Sequence, residues 1–195
     1  MKGQYLLRGT LFASVAVLCL IGGCGGEEEI VLTPEGTFSV SYLEGKEIGG
    51  QYAAGQIKDY EVVWAAYDQG ADTRGQFLDG FAAAVAATAQ GAQAAERRAV
   101  VDEAVSGNHF ETARNLGTRH AGGLITNEQV QGVIHSSLGV SRGVSLGWKA
   151  GYIRGFGAQC VADEAAAGSV NEDKIAACHK EAAATYDALR AAIGR

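Results

Sequence analysis

Histidines, a pair of late cysteines and scattered carboxylates are the groups in this chain whose types and spacing could do chemistry. His109 and His120 lie eleven residues apart, so three turns of one unbroken helix would align them, with Glu111 beside the first. Such a trio could form part of a metal site. The sequence has no HExxH and no closely spaced Cys/His set, so no metal is assigned, and solvated or capping roles are expected for these side chains. Cys178-His179 matches the end of a c-type haem motif, but its first cysteine would fall at Ile175. No cofactor is expected. There is no P-loop, and the glycine-rich segments read as helix rather than as the strand-to-helix turn of a nucleophile elbow. Asp163, Glu164, Glu172 and Asp173 flank an expected helix bend, where carboxylates form a solvated rim and a favourable helix start more often than an acid–base pair. Arg142 and Arg154 could hold an anionic ligand, with surface ion pairing the commoner fate. No catalytic residue is assigned, and an enzyme is not the expected class.

The first 23 residues differ from the rest: Lys2 and Arg8 precede an almost wholly apolar run from Leu11 to Ile21. About a dozen apolar residues are too few for a lasting membrane span and fit the core of a secretory signal. Ile21-Gly22-Gly23-Cys24 resembles the lipobox of bacterial lipoproteins, in which the cysteine is acylated and the leader cut away before it. That resemblance implies cleavage of residues 1–23, lipid on Cys24, and residence in the cell envelope. Stable attachment would need more than one acyl chain. Gly25, where an aspartate would retain such proteins at the inner membrane, implies the outer membrane facing the periplasm. Glu27-Glu28-Glu29 resembles a surface-export signal and points to the other face.

The chain after the leader carries 14 basic against 22 acidic residues, a net charge of −8. That balance disfavours nucleic acid and a polybasic grip on anionic lipid. The expected partners are the membrane, through lipid on Cys24, and either a second copy or another envelope protein. Cys19 leaves with the leader and Cys24 takes lipid, so Cys160 and Cys178 remain as a pair in an oxidising compartment. A disulfide is expected, with two free thiols or half of a metal site as the alternatives.

Positioning these groups falls to helices. Residues 24–38 read as an acidic, glycine-containing tether with a turn at Pro34-Glu35-Gly36, and residues 39–195 as an all-α domain. Ser41 with Glu44, Thr73 with Gln76, Asn108 with Glu111 and Thr126 with Gln129 each have the spacing of a capping box. Helices are expected near 42–57, 60–69, 73–105, 109–121, 127–166 and 171–193, a bundle of six. The last two should form a hairpin. Cys160 and Cys178 each lie nine residues from Ser169, at one level across it.

Within the fifth helix, Gly139, Gly143, Gly147, Gly151 and Gly155 recur every four residues, beside a rail of Val140, Val144, Trp148, Tyr152 and Phe156. Helical glycine costs up to about 1 kcal/mol relative to alanine, so five of them need compensation. The first expectation is close packing against another helix of the same chain, and the second is self-association. Arg142, Lys149 and Arg154 argue against membrane insertion. Gly45 and Gly49, followed by Ala53, form a smaller ridge that is the natural partner of the larger one.

Ser39 to Gly50, with its tyrosine followed by stepped glycines, and Gln76-Phe77-Leu78-Asp79-Gly80-Phe81, with Ala84-Val85 beyond, resemble the helical N-terminal dimerisation domain of exported FKBP-type prolyl isomerases. The resemblance covers residues 39–106 at most, and the gap between its motifs is longer here. The β-rich catalytic domain has no counterpart, since residues 107–195 read as helix, so isomerase activity does not carry over. What it implies is a dimeric, chaperone-like module. The expected function is that of a lipid-anchored binding, scaffold or assembly module acting through the glycine-ridged helix. A ligand- or metal-binding protein, or an enzyme, with a site between helices is the alternative.

Overall fold

A computed structural model describes residues 30–33, 36–137, 140–168 and 170–193. The leader, Cys24, Pro34, Glu35, Gly139 and Ser169 lie outside these. The protein is all-α: a short hairpin, β1 (Ile30–Thr33) with β2 (Gly36–Ser39), precedes α1 (Val40–Ala53), α2 (Asp59–Asp68), α3 (Gly70–Ala86), α4 (Ala94–Ser106), α5 (His109–Ala121), α6 (Asn127–Ser136), α7 (Arg142–Ala166) and α8 (Glu172–Ile193). No helix among the described residues is long and apolar enough to cross a membrane.

Two expected helices are each divided. The alanine-rich run across residues 73–105 breaks after α3 because Thr88 folds back: its hydroxyl donates to Val85 O at 2.7 Å and accepts from Gln90 N at 3.1 Å. Such local bonds compete with the helical ladder whatever the alanine content. The run across 127–166 breaks between α6 and α7, where Ser136 and Ser137 donate to Val133 O and Ile134 O, each at 2.7 Å. Ser141 then caps α7 by accepting from Val144 N at 3.2 Å. The segment expected as a plain tether contains a hairpin, because Ile30, Val31 and Thr33 are β-branched and Gly36 takes the positive φ of 141° that its backbone needs.

Of the four proposed capping boxes one forms, Thr126 with Gln129. Ser39, not Ser41, caps α1, accepting from Tyr42 N at 3.2 Å, and Ser41 is buried inside the helix. Thr73 lies inside α3 and donates its hydroxyl to Gln69 O. Asn108 precedes α5 without a side-chain cap, and Glu111 turns elsewhere.

The smaller glycine ridge does not meet the larger one. Gly45 and Gly49 lie against the Phe77 and Phe81 carbonyls of α3, and Gly80 of α3 lies against Tyr42 O of α1. The register advances in the same direction on both, so α1 and α3 run parallel. The glycines that carry the resemblance to the dimerisation module thus meet each other inside one chain. Around this pair a core of Val62, Val63, Phe77, Phe81, Val101 and Phe110 is buried; a second, of Val130, Ile134, Tyr152, Ile153, Tyr186 and Leu189, joins α5 to α8.

Candidate functional site

The larger ridge is filled from within. A Cβ on Gly151 would overlap Phe110 O, one on Gly155 would overlap Arg114 O, and one on Gly117 of α5 would overlap Tyr152 O. Higher up, Gly147 faces Ala104 O and the His109 ring, and Gly143 faces Glu103. As in α1 and α3, the register advances together, so α5 and α7 run parallel with their backbones nearly touching. Carbonyls set over glycine Cα–H groups gain weak hydrogen bonds of roughly 0.5–1 kcal/mol each. Thr118 adds a direct bond across the contact, donating to Gly155 O at 3.2 Å.

The rail's aromatic side chains therefore pack inward. Tyr152 is fully buried, and Trp148 and Phe156 are half-buried against the second core. Val140 stands outside the helix, 46% exposed. Burial holds the Tyr152 phenol well above its ordinary range, with Tyr186 nearby adding to the shift. Its hydroxyl shares a hydrogen bond with His120 Nδ1, while His120 Nε2 lies 2.9 Å from Asn127 Oδ1. One imidazole thus ties α5, α6 and α7 together.

The candidate metal trio comes apart although one helix carries all three residues. His109 Nε2 donates to Ala104 O at 2.9 Å, capping the end of α4, and His120 is taken by Tyr152. Glu111 accepts from the Tyr67 hydroxyl and lies 3.3 Å from Arg114. Among the described residues no three His, Cys, Asp or Glu side chains converge to hold a metal ion.

Glu111 belongs instead to a polar seam where α2 crosses α5 and α7. Arg154 binds both Asp68 oxygens at 2.8 and 3.1 Å and sits over the Tyr67 ring at 5.8 Å. Trp64 Nε1 donates to Ala150 O at 2.8 Å, and its ring packs on His179 at 5.0 Å. The Glu111 hydrogen bond is the main reason the Tyr67 phenol is raised, with burial second. Burial pushes the His179 imidazole down, outweighing the attraction of Glu61, and Arg154 pushes it the same way as burial. Two carboxylates and two guanidiniums balance, and of the buried polar atoms here only Arg154 Nη1 lacks a partner. The seam fastens α2, α5, α7 and α8.

Cys160 and Cys178 are joined by a disulfide, with Cα atoms 5.7 Å apart, across the α7–α8 hairpin. Of the carboxylates around its bend, Glu164 pairs with Lys174 at 2.5 Å and Asp163 accepts from Gln159 at 2.9 Å. Glu172 and Asp173 occupy the first turn of α8. Arg142 pairs with Glu96, and Lys149 with Asp187 at 2.8 Å.

Two features escaped the sequence reading. Gly143-Val144-Ser145-Leu146-Gly147 spells Gly-x-Ser-x-Gly, but all five residues lie within the first turns of α7, so Ser145 sits on a regular helix and not on a strand-to-helix elbow. The other is an open groove of about 390 Å³ on the outer side of α7, lined by Asp59, Val140, Ser141, Arg142, Ser145, Leu146, Lys149 and Arg190. Arg142, Ser145 and Lys149 recur at helical spacing, so a pattern search for polar faces would have found that side of the groove. Arg190, from the end of α8, could be placed there only by the hairpin pairing. Between α1, α2, α3 and α4 lies a void of about 10 Å³, lined by Tyr52, Val62, Phe81 and Val101 among others. It is no larger than a water molecule needs.

No protein-family model matches the chain, and neither the curated proteins nor the solved structures contain a match.

Proposed function

We propose that the chain is a lipid-anchored cell-envelope protein, not an enzyme, that works by binding an acidic segment of another envelope protein along the outer side of α7. The observation that carries the envelope assignment is the Cys160–Cys178 disulfide. Disulfides persist in oxidising compartments. The charged leader and the small residues before Cys24 supply the route there and the anchor.

Binding is assigned to α7 because its glycine side is closed by α5 and its opposite side holds the groove. Arg142, Lys149 and Arg190 line that groove on a body whose net charge after the leader is −8. Glu96 and Asp187 already engage two of these cations, so an acidic partner would exchange one ion pair for another. Such exchange sets specificity and encounter rate more than affinity. Self-association through the glycines would require α5 to leave its seat.

The experiment is photo-crosslinking in cells from a probe at Ser145. The expected result is an adduct with an envelope protein that is lost in the Arg142→Glu/Arg190→Glu variant while the melting temperature holds. An adduct indifferent to the charge reversal would remove the groove from the account.

A further inference from the structure

Where the body meets the membrane follows from chain length, and the inference rests on the lipid anchor at Cys24 proposed above. Ile30 is six residues after Cys24. At about 3.5 Å per residue that tether reaches no more than about 20 Å, so an anchored chain keeps its hairpin close to the lipid surface.

The hairpin has a packed side and an open side. Ladder partners share a face and successive residues alternate, so Val31 and Phe38 lie on one side and Ile30, Thr37 and Ser39 on the other. On the first, Phe38 stacks on Tyr42 with ring centres 4.9 Å apart, and the Lys46 ammonium sits 5.9 Å from the Phe38 ring. On the second, Ile30 is 60% exposed and Thr37 is exposed as well. A two-stranded hairpin is marginal in water, and an exposed apolar strand at the edge of a sheet calls for cover.

We propose that the hairpin face bearing Ile30 and Thr37 rests on the membrane surface to which Cys24 is attached, leaving the α1 side to the body. The other exposed large apolar residues, Leu124, Val140, Val170 and Ile175, stand at separate turns or at the start of α8, and none is tied to the anchor by so short a tether. Glu27, Glu28 and Glu29 lie within that tether, so contact is with zwitterionic rather than anionic headgroups.

The test uses the full lipidated chain in phosphatidylcholine vesicles, with a nitroxide on Ile30→Cys and, separately, on Thr37→Cys. Its reference is the same labelled chain with Cys24→Ser, which stays in solution. Collision with a water-soluble relaxation agent should fall severalfold at both positions in the anchored protein. Unchanged collision in a chain whose mass shows acyl groups on Cys24 overturns the surface contact and leaves the anchor standing. Label–label broadening that is the same with and without vesicles assigns the face to a second copy and also overturns it. A chain with no acyl mass takes down the anchor and this inference together.

Discussion

Gly155 lies directly beneath the backbone carbonyl of Arg114, so that one added methyl group would overlap the oxygen. The neighbour is backbone within a helix and cannot swing aside as a side chain could. Gly132, in α6, has nothing within 4 Å of where its Cβ would be. The two positions should answer the same substitution with opposite signs. Gly155→Ala is expected to cost about 1–3 kcal/mol through overpacking, despite the better helix propensity of alanine. Gly132→Ala should gain about 0.4–1 kcal/mol by restricting the unfolded chain. Urea unfolding of both variants checks the pair, and equal effects would show that α5 does not sit on the ridge.

The disulfide closes a short loop, with a sequence separation of 18 between Cys160 and Cys178. Restricting the unfolded chain should supply about 3 kcal/mol. Cys160→Ser/Cys178→Ser is therefore expected to lower stability by that order while keeping the helical circular dichroism, since Lys149 with Asp187 and Lys174 with Glu164 still span the hairpin.

His179 gives stability a direction with pH. Burial against Trp64 and Gly157 lowers its affinity for a proton in the folded state, whereas the unfolded chain binds one near the ordinary imidazole value of 6.5. Below that value the unfolded state binds more protons, so stability falls as the medium is acidified, until the folded-state value is reached. Glu61 opposes the shift and Arg154 reinforces it. Unfolding midpoints between pH 8 and pH 5 should decline in the parent and decline less in His179→Gln, with a limiting slope of about 1.4 kcal/mol per pH unit for one proton.

Tyr67→Phe removes the hydroxyl that donates to Glu111 and leaves the carboxylate with Arg114 alone. A loss of about 1–2 kcal/mol is expected, because the bond ends on a charged group at a half-buried position. Restoration of stability by adding Glu111→Gln, scored as a double-mutant cycle, would mark the seam as a coupled unit.

Much of this architecture is legible in residue types. The four-residue spacing from Gly143 to Gly155 anticipates a close contact with another helix, and the equal distances of Cys160 and Cys178 from Ser169 anticipate their pairing. The breaks were hidden because alanine content speaks for helix while Thr88, Ser136 and Ser137 act through bonds to their own backbone, visible only once the chain turns. Glycine spacing marks which faces need close approach but not whose backbone approaches. Gly45 and Gly155 have equivalent neighbours, Phe77 O and Arg114 O, in different helix pairs. The seam was out of reach for a similar reason: Tyr67 and Glu111 are 44 residues apart and meet only when α2 crosses α5.

The central claim is an exported chain held by lipid on Cys24, and the intact mass of the protein extracted from its own membranes tests it most directly. The account predicts a chain beginning at Cys24 and carrying acyl groups on that residue, with the mass of two fewer hydrogens for the Cys160–Cys178 bond. A mass that retains Met1 to Gly23, or that starts elsewhere without added acyl groups, would contradict it.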